Sequence, residues 1–220
     1  MAIPWDEPLP TPLQTKWQQL LREVLLMAPI IVPRSVRPPA AVGPPEMIVY
    51  TDGSVLAYAA LIYLRFEVEE RLPGPWHSGL DRRKGWRAHL LTSKTRVTPP
   101  AGLTAPRSEI NSLILGARLA TLALSSLSEK PSRLTIIGDS QCTISTVESN
   151  SASLAAYFAN RVSEFDDTVK AWQHSHPSLV IDPPFHTPGQ LNVADIATRG
   201  KVTSRVPQKW FFGYLIAIHI

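Results

Sequence analysis

The sequence has a single cysteine, Cys142, among its 220 residues. An internal disulfide and any metal site built from several cysteines are therefore excluded, and the composition favours a reducing compartment. No apolar run reaches the roughly 18 residues that are needed to span a bilayer. We therefore expect an intracellular protein, cytoplasmic or nuclear, that is neither secreted nor placed in a membrane.

Charged residues are also few, at 18% of the chain against 44% apolar residues, which is typical of a globular protein rather than a disordered one. Lysine and arginine number 22 and the acidic residues 18, so the net charge is +4. This modest basic excess suits a polyanionic partner such as a nucleic acid, although a solvated basic face explains the same numbers.

Proline is plentiful, with 21 residues. Residues 28–46 hold several of them, and because proline fixes φ and has no N–H group, this stretch is predicted to be a linker. Apolar residues at helical spacing predict a helix over residues 11–27. The predicted organisation is an extension over residues 1–46, a main domain over residues 47–200, and an apolar tail over residues 201–220 that links to the next region of a longer polyprotein.

The main domain has the predicted order β-β-β-α-β-α-α-β-α, with a long mobile loop between the second and third strands. Strands joined by short links are expected to be antiparallel, and strands reached through a helix to run parallel to the first. Strands are predicted at 47–50, 57–66, 86–93, 134–138 and from 179, the loop at 67–85, and helices at 106–127, after the cap Ser140, at 152–172 and at 193–198.

Four acidic residues stand at element ends. Asp52 follows the first strand and Asp139 the fourth, and parallel neighbouring strands would bring both to one carboxyl edge. Glu109 lies in the first turn of the long helix and Asp195 in that of the last helix. Each acid alone is commonly a turn former or a partner of the helix dipole.

Gathered at one edge, these carboxylates would repel each other unless cations neutralised them. Oxygen ligands select Mg²⁺ or Mn²⁺ rather than zinc. Two such ions about 4 Å apart can activate a water and stabilise the leaving oxygen of a phosphodiester. The pattern therefore predicts two Mg²⁺ ions, with Mn²⁺ as a possible substitute.

The segments around these acids resemble the four motifs of the ribonuclease H family, in the same order. The closer resemblance is to the ribonuclease H region of Bel/Pao-type retrotransposon polyproteins. The four motifs are residues 50–54 (YTDGS), 107–109 (RSE), 138–141 (GDSQ) and 192–195 (NVAD), and the closer resemblance rests on residues 57–60, 92–97, 115–119, 159–162 and 186–200 (HTPGQLNVADIATRG).

The resemblance implies an α/β fold with a mixed five-stranded sheet in the order 3-2-1-4-5, flanked by helices. It implies an endonuclease that hydrolyses the RNA strand of RNA–DNA hybrids during reverse transcription, in a retroelement particle, beside the reverse transcriptase of the same polyprotein. Asp52 would bridge both ions, Glu109 and Asp139 would bind one of them, and Asp195 would bind the other.

Further site residues follow from the same motifs. His186 would assist proton transfer or product release, although a histidine that merely closes the fifth strand is an equal reading. Basic residues at 82–84, 87, 94 and 96, with Trp86 among them, would follow the backbone of the hybrid, although residues 82–84 suit a solvated loop equally well. The predicted substrate contacts are Gly53, Ser54, Lys94, Arg96, Arg107, Gln141 and Asn192.

Two other interpretations are weighed against the enzyme. One is an inactive module of the same fold that connects or binds nucleic acid inside a larger polymerase. The presence of all four acids argues against it, because a decayed site would lose some of them. The other is a related nuclease or integrase acting on DNA, which the order of the acids disfavours.

Overall fold

The structure is a computed structural model, and it describes residues 3–26, 34–71 and 82–199. The predicted tail over residues 201–220 lies outside the described residues, as does Gly200. The centre of the predicted loop, residues 72–81, lies outside them as well.

A mixed sheet forms the centre of the domain, in the order β3-β2-β1-β4-β5, with β6 also paired to β4. β1 pairs antiparallel with β2 and parallel with β4, and β2 pairs antiparallel with β3. The predicted strand order is thereby confirmed. The strands are β1 (Ala41–Gly53), β2 (Ala57–Arg71), β3 (Arg82–Val97), β4 (Arg133–Gly138), β5 (Val180–Ile181) and β6 (Phe185–His186).

β5 and β6 are two short strands that lie one after the other along the same edge of β4. β5 pairs with the start of β4 and β6 with its end, both in parallel register. Pro183 and Pro184 separate them, and because proline has no N–H to donate, the ladder is interrupted there. Asp182 instead accepts side-chain hydrogen bonds from Arg133 and Thr135, each at 2.5 Å.

The hairpin of β2 and β3 is longer than predicted, and the prediction of a loop over all of residues 67–85 is wrong at both ends. Lys84 contacts Glu67 at 3.2 Å and Glu69 at 3.5 Å across the two strands. These cross-strand pairs stabilise the ends of both strands. The side chains there are so polar that the sequence pattern does not predict a strand. The spacing of apolar residues in the sequence does not reveal cross-strand charge pairing of this kind.

α2 packs on one face of the sheet, and α4 packs against α2. The core on this side includes Val49, Ile62 and Leu124. The other face carries a smaller cluster with Tyr50, Leu61 and the fully buried Ala194. The helices are α1 (Thr11–Leu25), α2 (Ala105–Ser126), α3 (Gln141–Val147), α4 (Ala156–Ser175) and α5 (Asp195–Thr198), with a 3-10 turn at Ser151–Ser153 where the sequence predicted the start of α4.

The N-terminal segment contacts the domain through Arg37. Its guanidinium binds Glu129 at 2.7 Å and the carbonyl oxygens of Ala41 and Gly43 at the start of β1. β1 therefore begins six residues before the predicted strand, with an irregular register around Pro44 and Pro45. α1, by contrast, has no buried residue. No helix in the described parts of the chain is both long and apolar enough for a membrane crossing.

Candidate metal centre

The ends of β1 and β4 bring two acids together. Thr51 pairs with Gly138 in the parallel ladder, so Asp52 and Asp139 follow directly on neighbouring strands. Asp52 is buried, with 5% of its surface exposed, and Asp139 is half-buried. The predicted convergence of these two carboxylates at the carboxyl edge is therefore present in the structure.

Glu109 reaches the same edge from the first turns of α2. The helix begins with Pro106 near its first position, where the missing N–H costs nothing. A Cβ atom on Gly53 would lie 2.4 Å from the backbone nitrogen of Glu109, so only glycine lets the strand approach the helix this closely. The backbone of Gly53 also forms a hydrogen bond with the Glu109 carboxylate.

Asp52, Glu109 and Asp139 form a compact acidic cluster. One carboxylate oxygen from each lies within 4.8 Å of the others, which is the spacing of ligands around one cation. Burial raises the pKa of Glu109 to about 8, and the negative charges of Asp52 and Asp139 add to the shift. Burial also raises the pKa of Asp52, although a hydrogen bond from Thr198 opposes this.

These shifts show that the cluster is costly to ionise without a cation. Three oxygen donors at this spacing, with no sulfur or imidazole nitrogen among the clustered atoms, match the donor set that Mg²⁺ and Mn²⁺ prefer. The residues present therefore fit a hard divalent cation.

Asp195 lines the same open depression as the three clustered acids. It lies at the start of α5, and its carboxylate accepts a hydrogen bond from Arg199 Nε at 2.5 Å. Its negative charge contributes to the raised pKa of Asp52. The structure thus gathers three of the predicted ligands tightly and places the fourth beside them, paired with an arginine.

Asn192 connects three elements beneath the site. Its side-chain amide donates to the carbonyl oxygen of Thr51 at 2.9 Å and to Asp139 Oδ1 at 3.1 Å, and its oxygen accepts from the backbone N–H of Ala194 at 3.1 Å. With only 3% of its surface exposed, it holds the carboxyl ends of β1 and β4 against the start of α5. Its predicted contact with substrate stays a prediction.

Thr198 and Arg199 contact the acids, but they were not predicted as site residues from the sequence. Thr198 donates its hydroxyl hydrogen bond to Asp52 Oδ2, and Arg199 pairs with Asp195. Their spacing of three and four residues from Asp195 was the available signal, because such neighbours share a helix face. Thr198 reaches Asp52 only through the tertiary fold, which spacing alone does not reveal.

His186 lies beside the cluster rather than within it. Its Nε2 is 3.2 Å from the backbone carbonyl oxygen of Asp139, and the side chain is exposed. Gly189, three residues further on, lies close to the Asp139 carboxylate: a Cβ atom on Gly189 would be 3.0 Å from Asp139 Oδ2. The imidazole is thus exposed and next to the acidic depression. Its predicted role in proton transfer or product release stays a prediction.

The other predicted substrate residues divide into two groups. Gly53 and Ser54 are structural parts of the β1–β2 turn: the Ser54 hydroxyl accepts from the backbone N–H groups of Leu56 and Ala57. The remaining four have exposed side chains near the depression or on β3, and Arg107 also stacks on Tyr157, with 4.8 Å from its guanidinium carbon to the ring centre. These four are Lys94, Arg96, Arg107 and Gln141.

Comparisons with solved structures gave distant likenesses. The N-terminal ribonuclease H domain of a Mycobacterium tuberculosis protein is 11% identical, with a TM-score of 0.46, 70% of this chain covered and 91% of that one. Ribonuclease H1 of Halobacterium salinarum is 12% identical, with a TM-score of 0.40 and coverages of 70% and 93%. LC11 ribonuclease H1, solved with an RNA/DNA hybrid, is 15% identical, with a TM-score of 0.38 and coverages of 69% and 92%.

A comparison with curated proteins gave no match. The model of one family, described as the Pao retrotransposon-like RNaseH-like domain, matches residues 1–140. The matched range contains Asp52, Glu109 and Asp139, and it ends before Asp195. Because it covers well over half of the 220 residues, the chain belongs to the family of Pao retrotransposon-like RNaseH-like domains.

Proposed function

We propose that this domain is a metal-dependent endonuclease that hydrolyses the RNA strand of RNA–DNA hybrids during retroelement reverse transcription. The observation that carries the proposal is the convergence of Asp52, Glu109 and Asp139, with ligand oxygens within 4.8 Å and carboxyl groups that are costly to ionise alone. Membership of a retrotransposon-associated, RNaseH-like family supports the same reading.

Two Mg²⁺ ions are the proposed cofactors, with Mn²⁺ as a substitute. Bound divalent ions would activate a water and stabilise the leaving oxygen of the phosphodiester. Asp52 would hold both ions, with Glu109 and Asp139 on one and Asp195 on the other. Arg199 contacts only Oδ1 of Asp195, and this pair is solvent-exposed on the arginine side and therefore weak, so it leaves Asp195 able to act as a ligand.

The proposed substrate is recognised mainly through its backbone. Lys94 and Arg96 project from the exposed edge strand, while Arg107 and Gln141 stand at the starts of α2 and α3. Charge contacts of this kind follow phosphates and 2′-hydroxyls, so they would select hybrid geometry rather than base sequence. The proposed partner is the reverse transcriptase part of the same polyprotein, which would share the hybrid inside a retroelement particle.

The test is cleavage of a hybrid with a labelled RNA strand, in Mg²⁺ or Mn²⁺, by the wild-type chain and by Asp139→Asn. The wild type should cut the RNA strand, and Asp139→Asn should be inactive while keeping the wild-type circular dichroism spectrum. Asp166→Asn, an exposed acid on α4, is the matched control and should cut at the wild-type rate.

Three outcomes count against the proposal. Full activity of Asp139→Asn or undiminished cleavage in excess chelator would contradict the metal-dependent reaction. A wild-type chain that binds the hybrid with no cleavage in either metal would favour the inactive nucleic-acid-binding module instead.

A further inference from the structure

Thr198 makes three contacts, and two of them join α5 to the end of β1 and to the residue that follows it. Its hydroxyl lies next to Asp52 Oδ2 and 3.1 Å from the backbone oxygen of Asp195. Its own backbone oxygen accepts a hydrogen bond from the Ser54 hydroxyl at 3.1 Å. Since Thr198 is 1% exposed, water does not compete for these contacts.

The hydroxyl has one proton, and the stronger acceptor receives it. A carboxylate is a better acceptor than a backbone carbonyl, because hydrogen bonds to charged groups are shorter and about twice as strong. The Thr198 proton therefore goes to Asp52 Oδ2. One oxygen of the most buried acid in the cluster is fixed in this way, and the other oxygen is left for a cation.

α5 needs an anchor of this kind. It has four residues, Asp195–Thr198, and a helix of one turn is not stable by itself in water. Its position is set by buried contacts at both ends: Ala194, which is fully buried, before it and Thr198 at its last residue. Asp195 stands on the same turn, so the Thr198 contact also fixes the distance between Asp195 and Asp52.

We propose that Thr198 is a positioning residue of the metal centre, which orients the Asp52 carboxylate and holds the turn that carries Asp195. The inference rests on the proposed metal-dependent function. It predicts that loss of the Thr198 hydroxyl weakens cation binding itself and lowers kcat, with little effect on KM for the hybrid. A threonine that served only to stabilise the fold would change the stability and leave the metal affinity of the folded fraction unaltered.

The experiment compares Mn²⁺ affinity by calorimetry, kcat, KM and thermal stability in the wild type, Thr198→Val and Thr198→Ser. Valine keeps the shape and removes the hydroxyl, while serine keeps the hydroxyl. Thr198→Val should lose about tenfold or more in Mn²⁺ affinity, as is usual when a residue behind a metal ligand is removed. Thr198→Ser should stay within about twofold to threefold of the wild-type affinity, because it retains the hydroxyl.

Thr121→Val is the matched control. The Thr121 hydroxyl also takes part in a side-chain hydrogen bond, accepting from Trp172 Nε1 at 2.9 Å, but on the α2–α4 side of the domain. It should lower stability with no change in Mn²⁺ affinity. Thr198→Ala is measured in parallel, because it removes the hydroxyl without burying a methyl group against a carboxylate.

The outcomes separate this inference from the proposed function. If the wild type binds Mn²⁺ and folded Thr198→Val or Thr198→Ala binds it with the same affinity, only the role of Thr198 is overturned. Equal losses in Thr198→Ser and Thr198→Val would overturn it too, since the hydroxyl would then be irrelevant. No Mn²⁺ binding and no cleavage by the wild type would overturn the metal centre and, with it, the inference.

Discussion

The side-chain amide of Asn192 lies 3.1 Å from the Asp139 carboxylate, measured from Nδ2 to Oδ1. The same nitrogen donates to the backbone of Thr51, next to Asp52, so one buried amide holds the strand ends that carry two of the clustered acids. An amide is suited to this place because it supplies two donors and one acceptor without adding charge to an already negative site.

Asn192→Ala should therefore destabilise the fold and reduce cleavage together. The variant leaves the buried carbonyl oxygen of Thr51 and the N–H of Ala194 without their partner, at a cost of about 1–3 kcal/mol. Asn192→Asp should cost more, because it places another carboxylate beside Asp139. Urea denaturation with a parallel cleavage assay measures both effects, and Asn160→Ala on the exposed side of α4 is the control. A wild-type unfolding free energy for Asn192→Ala would contradict this role.

The raised pKa of Glu109 predicts that the metal-free protein loses stability as pH rises. Its pKa of about 8 in the folded chain exceeds the ordinary glutamate value of 4.5. Between these values the folded state binds a proton that the unfolded state has released, so the free energy of unfolding falls with pH, by at most about 1.4 kcal/mol per unit for one group. Thermal melts in chelator from pH 5 to pH 8.5 should show a falling midpoint, with the lowest values near the upper end.

A divalent cation should reverse that trend. Metal binding needs the ionised carboxylates, so added Mg²⁺ should raise the melting midpoint more at pH 8 than at pH 5.5. Glu109→Gln removes the titrating group and should flatten the metal-free profile. A metal-free midpoint that rises over this range in the wild type, or an unchanged slope in Glu109→Gln, would show that other groups govern the pH dependence.

Arg199 gives a prediction on metal affinity. Its guanidinium pairs with Asp195 and its charge lowers the pKa of Asp52. It is therefore a resident cation that competes with a metal for the same carboxylates. Arg199→Gln should tighten Mn²⁺ binding a few-fold, most visibly at low salt, because exposed charges are screened.

Two variants control the Arg199 measurement. Arg199→Lys keeps the positive charge and should stay near the wild type. Arg118→Gln removes an arginine that pairs with Glu164 between α2 and α4, away from the acidic depression, and should leave Mn²⁺ affinity unchanged. Weaker Mn²⁺ binding in Arg199→Gln would mean that the arginine orders Asp195 for the metal instead of competing with it.

The convergence of Asp52 with Asp139 could be predicted from the sequence because each acid follows a predicted strand, and the resemblance to the ribonuclease H family implied the strand order that makes these strands neighbours. A buried strand over residues 134–138 has no polar alternation beyond Thr135, and the structure places β4 at Arg133–Gly138 between β1 and β5. Once β1 and β4 are parallel neighbours, residues at their ends must meet. The cap at Ser140 was also predictable, and its hydroxyl accepts from the backbone N–H of Thr143.

The parts that could not be predicted depend on contacts between distant segments. The ends of β2 and β3 are held by pairs such as Lys84 with Glu67, which look like a charged loop in the sequence. The roles of Asn192 and Thr198 depend on the last turn packing against β1, more than 140 residues earlier in the chain. Spacing predicts which residues share a helix face, but not which strand that face meets.

Lys94 and Arg96 give a prediction on substrate binding. Their backbone partners on β2 are Ala60 and Tyr58, which flank Ala59, the partner of Asp52 on β1. With strands about 4.8 Å apart, β3 lies about two strand spacings from β1, and the strand pleat puts both side chains on the sheet face that α2 covers, from which Glu109 reaches the cluster. The double variant Lys94→Gln, Arg96→Gln should raise KM for the hybrid several-fold with little change in kcat.

The salt dependence distinguishes phosphate contacts from a loss of structure. Removing two phosphate contacts should make the slope of log affinity against log salt shallower by about 1–2. Hybrid binding is best measured in the Asp139→Asn background, where the substrate stays intact. Lys170→Gln on α4, an exposed lysine 3.9 Å from Asp167, should leave the slope unchanged. If the double variant and this control share one slope, then the edge strand does not contact the hybrid and the backbone must be held elsewhere.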